Sequence, residues 1–492
     1  MKPNISKLNQ VVAGSVESTP TMRGALAALS LSMLLSSLGT SIANVGLPTL
    51  AEAFNASFQE VQWVVLAYLL AITTLIVSVG RLGDLSGRRR LLIAGIFLFT
   101  LASVLCSVAP TLGLLIAARA LQGLGAAIMM ALTMAFVGET VAKEKTGSAM
   151  GLLGAMSAVG TALGPSLGGV LIGGFGWQSI FLLNVPLGIL SLYLSYRYLP
   201  VDRPAAKTVR SSFDAIGTLL LALSLGLYAL AMTTGRGSFG TQNVLLLLAA
   251  IVGIGLFVFA ETRSVSPLIQ MKLFQNPLLS AGFAMSMLVT TVVMATLVVG
   301  PFYLTSALAL DAARVGLVMS AGPLVAALTG VPAGRLVDRF GSHFMGIVGL
   351  GAMAIGAFLL PMLSTRFGVP GYIAPLTCIT AGYALFQAAN NTAVMTSIQP
   401  EQRGVISGML NLSRNLGLIT GASVMGIVFA LGTGTSSIMS APPEAVTAGM
   451  RATFNVAVIL ILLAIAIAVF SHARAQRAIP STTEQEDGYV SK

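Results

Sequence analysis

The chain has 492 residues, of which 55% are hydrophobic and only 9% are charged. Soluble domains carry about 25% charged residues, so this composition excludes an ordinary soluble protein and favours a chain that lies in a lipid bilayer. The formal net charge of +11 would fit a nucleic-acid-binding protein, but the distribution of the charges, described below, argues against that class.

Fourteen apolar runs in the sequence are long enough to cross a bilayer as helices, which takes about 20 residues each. We therefore expect an all-α polytopic membrane protein, with polar tails at residues 1–22 and 473–492. The predicted spans lie near residues 25–46, 61–80, 91–109, 113–137, 148–172, 178–199, 213–233, 243–261, 278–304, 313–333, 344–363, 370–396, 404–431 and 452–471.

Positive charge is concentrated on one side of this predicted bundle. With a cytoplasmic N-terminus, 21 of the 27 Lys and Arg residues fall on the cytoplasmic side and four on the other, while Arg119 and Arg414 lie within spans. Short cytoplasmic loops carry an excess of Lys and Arg. We therefore expect a multi-pass protein of the cytoplasmic (inner) membrane with both termini in the cytoplasm, and no nucleic-acid partner.

A charged segment occurs twice, at corresponding places between apolar runs. Residues 80–87 and 334–341 share the pattern G-R-L-x-D-x-x-G at an offset of 254, and glycines of the fifth and thirteenth spans correspond at an offset of 257. Chance is the alternative for the glycines alone, and the charged pattern argues against it. Such duplications are typical of transporters. The repeat predicts six-helix bundles at residues 23–200 and 276–472, separated by an inserted helix pair at 201–275.

The first copy of the repeated segment continues into further basic residues. Asp84 stands close to Arg88 and Arg89 at a predicted helix end, where such charges can make charge-assisted hydrogen bonds to the terminus of a neighbouring helix. An ordinary positive loop that sets topology is the alternative, although topology alone does not require the aspartate.

The fourth span contains the pattern R-x-x-Q-G, formed by Arg119, Gln122 and Gly123. An arginine inside a membrane is costly and is by default a candidate functional residue. Because Arg119 lies only about six residues into its predicted span, a side chain that extends to the membrane surface is the alternative.

The fifth span is rich in glycine and holds a proline at residue 165. Small residues four apart let two helices approach closely, and proline bends a helix by removing a backbone donor. A packing face without a role in transport is the alternative.

Together these patterns resemble those of the major facilitator superfamily, and specifically of its fourteen-helix drug:proton antiporter family. The resemblance implies a major facilitator fold, export rather than uptake, and no cofactor or metal. The gating residues that it implies are Gly80, Asp84, Gly87, Arg88, Arg89, Gly334, Asp338 and Gly341. The antiporter motif that it implies is Gly160, Gly164, Pro165, Gly168 and Gly169.

The sequence departs from this family where many members carry an acidic residue in the first helix, because the corresponding position is Gly39. No Asp or Glu falls in the middle of any predicted span. Protons are an expected partner, yet coupling needs a titratable group whose pKa changes between states. An edge carboxylate such as Glu52 or Glu60 is an alternative. The embedded Arg119 and Arg414 favour a neutral, amphipathic or anionic substrate.

Polar and aromatic residues inside the spans are the candidates for substrate binding or coupling. For each of them, hydrogen bonding or packing between helices is the alternative. The candidates are Asn44, Tyr68, Arg119, Gln122, Gln387, Asn390, Asn391 and Arg414.

The sequence therefore predicts a secondary active transporter, expected to be a monomer, that exports drugs or small organic compounds by alternating access in exchange for protons. The alternative is an exporter or flippase of an anionic or amphipathic metabolite or lipid, without coupling through a mid-membrane carboxylate. An ATP-driven pump is disfavoured because the sequence has no G-x-x-x-x-G-K-[ST] phosphate loop. An enzyme is disfavoured because His343 and His472 belong to no acid–base or metal cluster.

Overall fold

The computed structural model describes residues 20–140, 146–202, 214–234, 240–264, 274–396, 403–434 and 441–477. These residues form helices joined by short turns, and they contain no strand. The predicted all-α class is therefore confirmed. Most of the two predicted tails lies outside the described residues.

The first half of the chain forms eight helices, two of which are short. A seven-residue helix follows the first span, and a four-residue helix begins the sixth. The helices are α1 (Pro20–Val45), α2 (Leu47–Ala53), α3 (Phe58–Ser86), α4 (Arg88–Ser107), α5 (Leu112–Thr140), α6 (Thr146–Phe175), α7 (Ser179–Leu182) and α8 (Asn184–Tyr198).

The chain then forms an antiparallel pair of helices, α9 and α10, which precedes the helices of the second half. Between α14 and α15 the helix continues as a π-helical turn at Gly421–Met425. The helices are α9 (Ala215–Thr233), α10 (Thr241–Arg263), α11 (Pro277–Ser306), α12 (Ala312–Phe340), α13 (Ser342–Thr396), α14 (Arg403–Thr420), α15 (Gly426–Thr433) and α16 (Pro443–Arg477).

Thirteen helical segments of the described chain are long and apolar enough to cross a membrane, and α13 accounts for two crossings. At 1.5 Å per residue its 55 residues would reach about 80 Å, more than twice the hydrocarbon thickness of a bilayer. Gly368 interrupts α13 with a non-helical φ of 60° and ψ of −132°. The fourteen predicted spans are thus present.

The helices continue past several of the predicted spans. Both copies of the repeated segment belong to the last turns of helices rather than to loops, because α3 continues to Ser86 and α12 to Phe340. Gly87 and Gly341 then end these helices with φ of 94° and 86°, a conformation that glycine adopts without strain. Hydropathy locates the apolar part of a helix, and it misses the polar turns that continue past the hydrocarbon.

Equivalent glycines pack in equivalent ways in the two halves. A Cβ on Gly125 would lie 2.8 Å from the carbonyl oxygen of Gly95, and a Cβ on Gly382 would lie 2.6 Å from that of Gly349. Gly95 and Gly349 are 254 positions apart, and Gly125 and Gly382 are 257 apart. The duplication seen in the sequence therefore extends to the contacts between helices.

Of the inserted helices, α9 lies beside α3, and α10 packs against α9. The indole of Trp63 donates a hydrogen bond to Thr233 Oγ1 (3.0 Å), and near the other end of α3 the hydroxyls of Ser78 and Thr218 are 2.8 Å apart. Asn243 of α10 joins the two inserted helices, because its amide donates to the carbonyls of Ala231 (2.7 Å) and Thr234 (2.8 Å) at the end of α9. These contacts fix the inserted pair against the first half.

The two ends of the bundle differ in how the halves meet. We call the end that holds Gly87 and Gly341 the motif end, and the other the opposite end. At the opposite end the ring centre of Phe58 in α3 lies 4.7 Å from that of Phe302 and 5.6 Å from that of Phe429. Nearby, the amide of Gln62 donates a hydrogen bond to the carbonyl of Ala422 (2.9 Å). These contacts join the first half to the second.

Helices α6 and α12 cross closely at the opposite end and diverge toward the motif end. A Cβ on Gly169 would lie 2.5 Å from the carbonyl oxygen of Ala312, and Gly316 lies against the carbonyl of Pro165. Further along the same two helices, Gly154 and Gly334 have open space where a Cβ would be. Gly334 lies eighteen residues from Gly316 and therefore on the same face of α12, so the face that meets α6 at the opposite end is uncovered toward the motif end, where the gap between α6 and α12 opens.

The crossing of α6 and α12 predicts a cross-link between cysteines placed at Gly173 and Ala313. A Cβ on Gly173 would lie 3.4 Å from the Cβ of Ala313, close to the spacing of about 3.5–4.5 Å in disulfides. We expect oxidation of the double variant, in a background without Cys106 and Cys378, to join the halves. A protease site in the loop between α10 and α11 and a non-reducing gel would detect the link.

The matched control is Gly174→Cys with Ala313→Cys. Gly174 is on the same turn but has nothing within 4 Å of a Cβ position. If this pair cross-linked as fast as the first, the described contact between α6 and α12 would be wrong.

Candidate substrate and gating sites

The first copy of the repeated segment is tied to its own half of the protein. Asp202, just after α8, accepts hydrogen bonds from the backbone N–H groups of Arg89 (2.8 Å) and Arg90 (3.2 Å). Its carboxylate thus caps the first turn of α4, where a negative charge is favoured. The Arg89 side chain donates to the carbonyl of Tyr196 (2.5 Å) and lies 5.3 Å from the centre of that ring.

The predicted gate is described only in part. The surroundings of Gly80 and the side chain of Asp84 lie outside the described part of the chain, and Arg88 interacts with another group of the protein. In the second copy Asp338 is exposed, and Gly334 and Gly341 have open space around them. The gating role of these eight residues remains a prediction.

The glycines of α6 contact two different helices. Gly160 and Gly164 lie against the backbone of α1, and Gly168 lies against Val45 and Ile42 of the same helix. Gly169 instead faces α12 of the other half. The glycines of the predicted antiporter motif therefore pack within the first half, except for the last, which forms the crossing between halves. The role of the motif in antiport remains a prediction.

Arg119 is fully buried and does not extend to the membrane surface. Its Nε donates to the carbonyl of Val64 (2.9 Å), and its Nη2 donates to that of Gly39 (3.0 Å). The third partner is Gln122 Oε1, 2.5 Å from Nη1, and the Tyr68 ring centre lies 4.1 Å from the guanidinium carbon. These partners come from α1, α3 and α5, so the arginine joins three helices.

The neighbours of Arg119 are also buried and hydrogen-bonded. Gln122 donates to Ser103 Oγ (2.7 Å), and the Tyr68 hydroxyl donates to the carbonyl of Ser36 (2.7 Å). Tyr68 and Gln122 have no exposed surface. In this conformation the network is a closed connection among helices, and its contact with a substrate remains a prediction.

Arg414 lies among three amide side chains of the second half. Its Nη2 donates to Asn391 Oδ1 (2.7 Å), and its Nη1 lies 3.5 Å from Asn411 Oδ1. Gln387 completes the cluster with its amide oxygen turned toward the guanidinium, where it accepts from both Nη atoms at 3.2 Å. All four side chains keep part of their surface exposed.

Two other candidates stand apart from these clusters. Asn390 turns to α11, where it donates to Ser286 Oγ (2.9 Å) and to the carbonyl of Gly282 (3.1 Å). Asn44 donates to the carbonyl of Thr40 (3.1 Å) within α1, and its oxygen has no partner among the described residues. The structure thus assembles Arg119 with Gln122 and Tyr68, and Arg414 with Gln387 and Asn391.

The described residues hold no group of three or more His, Cys, Asp or Glu side chains that could bind a metal ion. Cys106 and Cys378 are free thiols.

The comparisons with known proteins agree with this geometry. The family model of the Major Facilitator Superfamily matches residues 29–422, with a second match over residues 295–490. The chain belongs to the Major Facilitator Superfamily. It is therefore a multi-pass membrane transporter.

Its relatives include transporters of different kinds. The chain is 31% identical to the riboflavin transporter RibZ of Clostridioides difficile over 81% of this chain and 86% of the relative. It is 32% identical to the multidrug resistance protein Stp of Mycobacterium tuberculosis over 82% of this chain and 75% of that relative. Among solved structures, an inward-facing bacterial homologue of the human lysosomal transporter Spinster superposes with a TM-score of 0.68 at 15% identity, over 94% of this chain and 98% of that one.

The burial of Arg119 predicts that its removal affects stability first. We expect Arg119→Met to lower the free energy of unfolding by about 2–5 kcal/mol, because it leaves Gln122 and two backbone carbonyls without their donor. Thermal unfolding of the purified protein would measure this loss.

The control is Arg314→Met. The side chain of Arg314 is 72% exposed, so its loss should change stability by less than about 0.5 kcal/mol. An Arg119→Met protein that unfolds like the wild type, yet no longer transports, would instead place Arg119 at the substrate.

Proposed function

We propose that this transporter exports drugs or small organic compounds from the cytoplasm by alternating access, in exchange for protons. The observation that carries the proposal is the divergence of α6 and α12 from their crossing at Gly169 and Gly316. Two halves that meet at one end and separate at the other form one of the two states that alternating access requires. The similarity to Stp supports drugs as substrates.

The motif end is proposed to face the cytoplasm, together with both termini. The excess of Lys and Arg in segments on that side supports this orientation and hence insertion in the cytoplasmic membrane. In this orientation the described state is open to the cytoplasm and is ready to accept a substrate for export. The division into bundles at residues 23–200 and 276–472 and the monomeric state belong to the same proposal.

A second candidate is an exporter or flippase of an anionic or amphipathic compound that is not coupled through a mid-membrane carboxylate. The two arginine clusters support it, as does the similarity to RibZ. Of the edge carboxylates, Glu60 accepts hydrogen bonds from the backbone N–H (2.7 Å) and the hydroxyl (2.6 Å) of Ser57. Proton uptake by Glu60 would therefore compete with its role as a cap of α3.

Coupling can be tested in proteoliposomes that contain a pH-sensitive dye and start with an acidic lumen. We expect external ethidium, a cationic drug, or sulforhodamine, an anionic dye, to raise the lumenal pH as it enters, because antiport moves protons outward. Uptake of a dye without a change of pH would contradict antiport and support the second candidate.

The control is the double variant with cysteines at Gly173 and Ala313. Oxidation should hold the opposite end closed and stop both dye uptake and proton movement, and a reductant should restore them. Uptake that continues at an undiminished rate in the cross-linked protein would contradict alternating access at this crossing.

A further inference from the structure

The cluster around Arg414 holds a positive charge with neutral partners. Within the described part of the chain, no carboxylate contacts this guanidinium, and its hydrogen-bond acceptors are the amide oxygens of Gln387, Asn391 and Asn411. Charges removed from water are normally paired with an opposite charge. The cluster therefore carries a net positive charge for which the described protein supplies no counter-ion.

The position of the cluster leaves it open to a ligand. Asn390 and Asn391 are neighbours on α13, yet Asn390 is buried against α11 whereas Asn391 keeps exposed surface and binds Arg414. Helix α14, which carries Asn411 and Arg414, packs against α3 of the first half. The cluster is thus partly exposed and lies on α13 and α14, of which α14 meets the first half.

The amides add donors to this charge. An amide that accepts a hydrogen bond from Arg414 through its oxygen keeps the two N–H donors of its NH2 group for another acceptor, because oxygen and nitrogen are separate branches of the same carbon. Gln387, Asn391 and Asn411 each do so. Around the arginine, the site therefore offers NH2 donors, which suit a group that only accepts hydrogen bonds.

We propose that Arg414, Gln387, Asn391 and Asn411 bind the carboxylate of an organic anion that this transporter exports. The guanidinium fork matches a carboxylate with two parallel hydrogen bonds. A bound carboxylate would replace the amide oxygen of Gln387 as an acceptor from Arg414. The hydrogen bonds from Arg414 to Gln387 (3.2 Å) are longer than the one to Asn391 (2.7 Å). This assignment rests on the proposed function, since it names the substrate class of the exporter.

Binding can be tested with three probes that share one ring system: 1-naphthoate, the neutral 1-naphthylmethanol and the cationic 1-naphthylmethylammonium. We expect 1-naphthoate to bind the purified protein in calorimetry, and Arg414→Gln to weaken its binding at least about tenfold. Binding of the neutral and cationic probes should change less than about twofold. Arg314→Gln, at an exposed arginine of α12, is the matched control.

Two further variants keep the test decisive if Arg414→Gln fails to fold. Arg414→Lys retains the charge without the fork and should bind 1-naphthoate with intermediate affinity. Asn391→Leu retains the arginine but removes the amide with the shortest hydrogen bond to it, and should weaken the binding of 1-naphthoate about threefold or more. Folded variants that bind 1-naphthoate like the wild type, or a wild type that does not bind it, would overturn the proposal.

A lipid phosphate is the other anion that could reach this position. Repeating the titration in nanodiscs of phosphatidylcholine and of phosphatidylglycerol separates the two sources. Equal affinity in both supports a dissolved carboxylate. Loss of 1-naphthoate binding only in phosphatidylglycerol, persisting at high ionic strength where repulsion between probe and bilayer is screened, would assign the site to a lipid headgroup.

The transport assay separates this proposal from the proposed function. If dyes are transported but Arg414→Gln binds 1-naphthoate normally, the substrate class is wrong and the exporter stands. If Arg414 is required for binding but no dye is transported, the anion site stands and export is wrong.

Discussion

Close contact between helix backbones is the constraint on which this structure depends. In a bilayer, lipid chains are as apolar as the side chains, so helices associate through van der Waals packing at small residues rather than through the hydrophobic effect. Gly160 and Gly164 bring α6 against α1, and Gly417 and Gly421 bring the thirteenth span against α11 in the same way. These contacts set the helix positions, and thereby the positions of both arginine clusters.

The two halves depart from regular helix geometry at corresponding residues. Pro165 of α6 and Ala422 of the π-helical turn are 257 positions apart. Proline has no N–H to give to the preceding turn, and a π-helical turn also disturbs the regular hydrogen bonds. At this point in each half a carbonyl faces the other half: that of Pro165 lies against Gly316, and that of Ala422 accepts a hydrogen bond from Gln62. In both halves the irregular hydrogen bonding is thus located where one half meets the other.

The number of spans and the duplication were predictable, because both depend on patterns that repeat over many residues. The partners of Arg119 were not, because the carbonyls of Val64 and Gly39 leave no mark in a sequence. Asp202 was missed because a single loop carboxylate has no pattern either. The Arg414 cluster was partly visible, since Gln387 and Asn391 are four apart and therefore share one face of a helix.

The arginines of the two clusters show that the duplicated halves are no longer chemically equivalent. At the offset of 257, Arg119 corresponds to Leu376, and Arg414 corresponds to Ser157. Arg119 is held by backbone carbonyls, which cannot turn away without disrupting α1 and α3. Arg414 is held by side-chain amides, which rotate about single bonds. Hydrogen bonds to rotatable groups can be exchanged without moving a helix, so the contacts of Arg414 can change at lower structural cost than those of Arg119.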